Sequence, residues 1–391
     1  MKNFIYNTPT KIFFGKNEEY KLGKILNEYK IKKVLLHYGT SSIKKSGLYD
    51  VIVDQLNKAN ISFVELGGVT PNPKLSLALK GVELAKKENV DLILAVGGGS
   101  VIDSSKMIAA GAKVDFNPWL FSTKEKTPTN SLPVGVILTL SAAGSDMSSS
   151  CVITNEMTKE KRGFNSEINR PLFAILNPEL TYTVSKYQTA CGIVDIMMHT
   201  LERYFSDDSH TPLTDNIALG LLKAVLEAGK VAIDNPTDYN SRSTLMWANS
   251  LSHNGLTSCG KQFLMSVHQL EHEVSGMFDE VAHGAGLAVI WPAWATLACE
   301  NQPERFQKFA IEVMGIAKTD NPLNDAKAGI KALKAYFKSI GMPTSMDELN
   351  INKTYFEELA YNFTFKGTRI LHDVITVDYN TAKTIFELTN E

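Results

Sequence analysis

The chain has 391 residues, 44% hydrophobic and 21% charged, and its 40 basic and 42 acidic side chains leave a formal net charge of −2. That length suffices for two or three domains with large buried cores, and the ordinary apolar content excludes a disordered chain. The charge balance leaves no excess for gripping nucleic acid or an anionic membrane, and Cys151, Cys191, Cys259 and Cys299 are too scattered for a disulfide framework, so reduced thiols in a cytoplasmic enzyme are expected.

Met1 to Tyr6 lacks the apolar run of a signal peptide, and the most apolar stretch, Ala285 to Ala298, is too short to span a bilayer. Lys33 to Tyr38 reads as a strand ended by Gly39, and Ser41 to Asn60 as a helix with Leu48, Val51, Ile52 and Leu56 on one side. Ile61 to Leu66 is a second strand, Pro71-Asn72-Pro73 breaks the chain, and Lys74 to Asn89 is an amphipathic helix. Asp91 to Val96 is apolar almost throughout, as a parallel strand covered on both faces should be. Val134 to Leu138 and Leu172 to Leu176 are further buried strands. This alternation predicts βαβ units in a doubly wound, Rossmann-like parallel sheet. After Asn177-Pro178 only helical patterns follow, opened by the capping spacing of Ser185 and Gln188. The expected division is an α/β domain over residues 1–184 and an all-helical domain over 185–391.

Two polar turns follow buried strands. Gly97-Gly98-Gly99-Ser100 leads from strand into helix, where bare backbone N–H groups and the helix dipole suit a phosphate. It matches neither the G-x-G-x-x-G fingerprint nor a Walker sequence, and glycines there also serve tight turns. Thr139 to Asp146 is rich in hydroxyls and should emerge at the same carboxyl edge of the sheet, where open α/β folds bind ligands. Gly39-Thr40-Ser41-Ser42 ends the first strand. Its glycine offers no acidic side chain to bind a ribose 2′-hydroxyl or repel a 2′-phosphate, which leaves room for NADP.

Asp195 and His199 stand four residues apart, as do His268 and His272, so each pair shares one helix face. With His283, Asp195, His199 and His268 would make a carboxylate-plus-three-imidazole site suited to Fe2+, Zn2+ or a neighbouring first-row ion such as Ni2+ or Mn2+. His37, His210, His253 and His372 lack such neighbours and are expected to be solvated or hydrogen-bonded. H-x-x-E-H also fits an inverted zinc-peptidase motif with Glu271 as base, but that reading leaves the α/β domain without a role. A non-catalytic metal-binding role would leave the glycine turn unexplained. A dehydrogenase uses both halves.

The order GGGS-x-x-D-x-x-K from Gly97 to Lys106, Asp195-x-x-x-His199, His268-x-x-x-His272 and His283-Gly284 resembles the iron-containing (group III) alcohol dehydrogenases. Within them the chain is most similar to the butanol dehydrogenase branch, the NADPH-dependent aldehyde reductases. The likeness extends to Tyr6 through Lys11, Phe14-Gly15, Pro71-Asn72-Pro73, Glu273 through Gly276 and Gly284 through Ala288. It implies a dehydroquinate synthase-like two-domain architecture, a divalent ion on Asp195, His199, His268 and His283, and NADP(H) in preference to NAD(H). It further implies that Gly39 and Ser41 line the adenosine-phosphate end and that Gly97, Gly98, Gly99 and Ser100 hold the pyrophosphate. Asn72, Asp103, Thr139, Ser141, Ser145, Lys161 and Tyr182 match cofactor-contacting positions, and a homodimer is implied. The loop between His272 and His283 is about one residue longer than in many relatives. The expected reaction is reduction of a short aldehyde such as butanal, or its reverse, with His272 as candidate proton relay. A sugar-phosphate lyase of the dehydroquinate synthase type shares the fold but needs a basic cluster that the sequence does not display.

Overall fold

The computed structural model describes residues 1–206 and 210–390. Its first half carries strands β1 (Lys11–Phe14), β2 (Lys33–Tyr38), β3 (Ser62–Leu66), β4 (Leu92–Gly97), β5 (Val134–Leu138), β6 (Ser150–Asn155), β7 (Glu160–Asn165) and β8 (Phe173–Leu176). Six of them form one parallel sheet in the order β1-β8-β5-β4-β2-β3. Alternate residues serve opposite faces, as strand geometry requires. Leu35, Ile93, Ala95 and Val136 join one core with the helices Leu75–Lys87 and Gly99–Gly111, while Val34, Leu36, Leu94 and Val96 join another with Leu22–Glu28 and Leu48–Lys58. β4 sits between β2 and β5 with every residue buried, which is why its sequence shows no polar alternation.

The register positions the site. Tyr38 pairs with Val96 and Gly97 with Leu138, so the chain leaves β2, β4 and β5 at one carboxyl edge, through Gly39, Gly98 and Thr139.

Several expectations need correction. Ser41 to Asn60 is not one helix, because Gly47 takes a left-handed φ of 78° and separates Ser42–Lys45 from Leu48–Lys58. β1 has only four residues, too short for a periodicity signal. β6 and β7, for which the sequence analysis names no element, form an antiparallel hairpin outside the main sheet. The second half is not wholly helical either, since β9 (Leu371–His372) pairs with β10 (Thr376–Val377).

The division at residues 184 and 185 needs two exchanges. One compact unit comprises Asn7–Val184 with Pro236–Ser250; the other comprises Met1–Tyr6, Ser185–Asn235 and Leu251–Glu391. Met246 is buried in the core of the first unit, which draws its segment there, while the Lys2 N–H donates to the Gly260 carbonyl in the second. Both exchanges arise from long-range packing that local periodicity does not report.

In the helical unit, Lys186–Tyr204 is the axis, buried at every residue from Thr189 to Tyr204. The Ser185 hydroxyl accepts from the Gln188 N–H and caps it. Pro212–Asp234, Ser266–Met277 and His283–Ala298 pack against it. No helix among the described residues is long and apolar enough to cross a membrane.

Candidate functional site

The axis helix presents Asp195 and His199 one turn apart on its buried face. Helix Ser266–Met277 contributes His268 and His272, and the next helix begins with His283. Close approach of the last helix depends on Gly284: a Cβ there would fall 2.2 Å from the Cys191 carbonyl oxygen on the axis helix. That contact brings His283 to the level of Asp195, one turn beyond Cys191.

The Asp195 Oδ1 atom lies 3.4 Å from His199 Nδ1, 3.5 Å from His268 Nε2 and 3.8 Å from His283 Nε2. Asp195, His199 and His268 are only 4%, 3% and 6% exposed. Their facing atoms, Asp195 Oδ1, His199 Nδ1 and His268 Nε2, have no hydrogen-bond partner. Buried polar atoms left in that state cost free energy unless something pairs with them. One carboxylate oxygen facing several imidazole nitrogens is a donor set for a divalent first-row ion, and the residues fit one.

Two carboxylates orient the imidazoles: Glu202, which the sequence reading did not single out, and Glu271, which it weighed as a peptidase base. Glu202 accepts from His268 Nδ1 and from the backbone N–H groups of Val267 and His268, at 2.6 and 3.2 Å for the latter two. Glu271 accepts from His283 Nδ1. Each bond places a proton on Nδ1 and turns Nε2 toward Asp195, the carboxylate–histidine arrangement that supports metal ligands. Glu202 lies seven residues after Asp195 on the same helix, a spacing that could have identified it. Burial, with His253 and His268 beside it, pushes His199 well below the usual imidazole range and keeps it neutral. Burial also acts to lower His268, but Glu202 and Asp195 outweigh it and hold that imidazole at about 9.

Glu271 is fully buried and committed to His283, so it is not placed as a peptidase base. His268 and His272 have ring centroids 6.5 Å apart at 88°, and His272 groups instead with Glu271 and His283. The sequence reading of His253 needs correction as well: its ring centroid lies 4.0 Å from that of His199. His37 does make ordinary hydrogen bonds, through Nδ1 to the Leu66 carbonyl and Nε2 to the Ser104 hydroxyl.

In the α/β unit, Gly97 ends β4 and Gly99-Ser100 open the following helix, with the Gly98 carbonyl accepting from Val101 and Ile102. A Cβ on Gly97 would fall 2.5 Å from Val101 Cγ2, and one on Gly99 would fall 2.7 Å from Ala143 Cβ. The turn therefore presents backbone rather than side chains. The Thr139 N–H donates to the Gly97 carbonyl, and Ser141 keeps a buried hydroxyl oxygen without a partner. The Gly39 carbonyl accepts from Gly68, while Ser41 starts the short helix Ser42–Lys45.

Other expected cofactor contacts are held inside the protein. Asp103 accepts from the Ser145 hydroxyl and the Val152 N–H, and the fully buried Lys106 donates to Ser145 and to the Ser148 and Ser150 carbonyls. Burial raises the Asp103 pKa and lowers that of Lys106, so each needs the other. Lys161, on β7, donates to Asn72, whose φ of 53° is left-handed. Tyr182 follows the turn Pro178–Thr181 and is half-buried.

Comparison with known proteins agrees across the chain. Residues 9–178 match the family model for iron-containing alcohol dehydrogenase, and residues 189–372 match the C-terminal model of the Fe-containing alcohol dehydrogenase family. The chain is 42% identical over 371 residues to the probable NADH-dependent butanol dehydrogenase 1 of Bacillus subtilis, spanning 94% of this chain and 95% of that one. It is 32% identical to the NADPH-dependent aldehyde reductase YqhD of Escherichia coli, spanning 99% of each. The crystal structure of NADH-dependent butanol dehydrogenase A from Thermotoga maritima superposes with a TM-score of 0.96 at 36% identity, over 100% of this chain and 99% of that one. The chain therefore belongs to the iron-containing alcohol dehydrogenase family, as an NAD(P)-dependent oxidoreductase of the alcohol dehydrogenase and aldehyde reductase type whose family implies a divalent metal ion.

Proposed function

We propose that this enzyme interconverts short-chain aldehydes such as butanal with primary alcohols, using NADP(H) in preference to NAD(H). The observation that carries the reading is the buried Asp195 oxygen, which faces three imidazoles without a hydrogen bond. Asp195, His199, His268 and His283 would hold the ion, Fe2+ first among Fe2+, Zn2+, Ni2+ and Mn2+. An ion held there supplies Lewis acidity to a carbonyl oxygen, and reduced nicotinamide supplies hydride.

The chain's own residues prepare that chemistry. Glu202 and Glu271 keep the Nδ1 protons of His268 and His283 in place and fix the ring orientations. Asp195 contributes one negative charge in a dry setting, where it acts more strongly than in water. His272, half-buried and 5.5 Å between ring centroids from His283, delivers the proton that the product alcohol oxygen requires. Gly97 to Ser100 bind the pyrophosphate through backbone N–H groups, and Ser141 adds a hydroxyl. Gly39 presents no carboxylate against a 2′-phosphate, which supports NADP(H). The relatives named above divide between NADH and NADPH, so cofactor choice is one arm of the test. They are dehydrogenases and a reductase, which favours redox chemistry over the lyase alternative.

Purified protein is loaded with Fe2+ or Zn2+, and loss of reduced-nicotinamide absorbance is followed with butanal. Metal-dependent oxidation, faster with NADPH than NADH, is expected. Protein with stoichiometric bound metal that oxidises neither would overturn the reading, and faster NADH oxidation would overturn the cofactor preference. A cytoplasmic homodimer belongs to the same proposal; light scattering should give twice the 43.1 kDa chain mass.

A further inference from the structure

Helix Tyr239–His253 lies in the second half of the sequence, yet all of it up to Ser250 belongs, with the residues from Pro236 that lead into it, to the α/β unit. There it carries Asn249, which is buried against the polar turn after β5. The Asn249 side-chain oxygen accepts from the backbone N–H groups of Ala142 and Gly144, each at 2.8 Å. Its side-chain nitrogen donates to Asp146 Oδ1 at 2.7 Å, and the adjoining Ser250 hydroxyl donates to Asp146 Oδ2. Asp146 and Ser250 are fully buried.

These bonds fix the turn next to the glycines. Ala143 lies between the two held amides, and its Cβ is the atom that a Cβ on Gly99 would meet at 2.7 Å. One residue before the held stretch, Ser141 keeps its buried hydroxyl oxygen unpartnered. The position of Ala143 sets how closely the two turns approach, and Asn249 sets the position of Ala143.

We propose that Asn249 is a positioning residue for the dinucleotide: by holding the Ala142 and Gly144 amides it fixes the second wall of the phosphate turn and the placement of the Ser141 hydroxyl. The inference rests on the dinucleotide reading of Gly97 to Ser100 given above. An amide suits this position because it offers an acceptor to two N–H groups and a donor to a carboxylate at once. Aspartate at the same position keeps the acceptor but sets two buried carboxylates against each other with no donor between them. The double variant N249D/D146N reverses the bond between the two side chains. It still provides an acceptor for both amides and for the Ser250 hydroxyl.

The test titrates metal-loaded full-length protein with NADPH and with NADH, reading nicotinamide fluorescence, alongside metal content and thermal midpoint. Asn249→Asp should weaken dinucleotide binding at least about tenfold, as expected for leaving buried polar groups unpaired. Metal content should stay unchanged. The double variant N249D/D146N should return to within about threefold of wild type, the coupling expected of two side chains in one hydrogen-bond network. If Asn249→Asp does not fold, the double variant decides alone, by binding as wild type does or failing to. Unchanged affinity in Asn249→Asp, a lowered midpoint with affinity kept, or no recovery in the double variant would each overturn the inference. Wild-type protein that binds neither dinucleotide would overturn the dinucleotide reading itself, and this inference with it.

Discussion

The two polar clusters of this chain are built on opposite terms. In the helical unit, side chains from three helices converge, and the facing atoms of Asp195, His199 and His268 are left unbonded. In the α/β unit, Asp103, Lys106 and Ser145 satisfy one another, and the turn above them presents backbone amides. The first cluster leaves buried polar atoms facing one another without hydrogen bonds. The second is a scaffold for a shape. Loss of one side chain should therefore be severe in the first and graded in the second.

The sharpest way to break that contrast is Asp195→Ala, which removes the carboxylate that faces all three imidazoles. Bound metal should be lost and turnover should fall by about three orders of magnitude; an active, metal-free variant seen by elemental analysis would erase the contrast. His272→Ala keeps the first cluster intact, so metal should remain while turnover falls about a hundredfold and its pH profile changes. Full activity with an unaltered profile would remove His272 from the mechanism. Glu202→Gln and Glu271→Gln leave every ligand in place and should weaken the metal about 10- to 100-fold in chelator competition. In the other unit, Gly99→Ala overpacks Ala143 by a single methyl group, and dinucleotide affinity should drop only about tenfold with metal retained.

A further test reads stability rather than binding or turnover and concerns the buried imidazole of the α/β unit. Burial pushes the His37 pKa from 6.5 down to about 4. The unfolded chain takes a proton near 6.5 while the folded chain refuses it, so this contribution is intact above 6.5 and lost as pH falls toward about 4. The loss amounts to about 3 kcal/mol. Urea unfolding of wild type and His37→Gln across that range should show the acid-dependent slope shrinking in the variant.

Sequence made the clustering of Asp195, His199 and His268 legible because helical spacing converts directly into a shared face. Asp195 with His199 is an i, i+4 pair, and no tertiary knowledge is needed to align it. The parallel strands were legible for a similar reason: burial on both faces leaves β4 and β5 apolar throughout. What escaped notice depended on distant packing. His253 sits beside His199 although it lies 54 positions further along the chain. Glu271 was visible as a peptidase base, and only the fold turns it toward His283. Segment Pro236–Ser250 carries helical periodicity and nothing that assigns it to the sheet. β1 and the hairpin of β6 and β7 were missed because short or polar strands carry no apolar alternation.

The central claim concerns which four side chains share one ion, and anomalous diffraction at the metal edge from crystals of loaded protein tests it most directly. A single strong peak bounded by Asp195, His199, His268 and His283 is expected, with His272 adjacent but not coordinated. A peak held by His268 and His272 together, or one remote from Asp195, would contradict it.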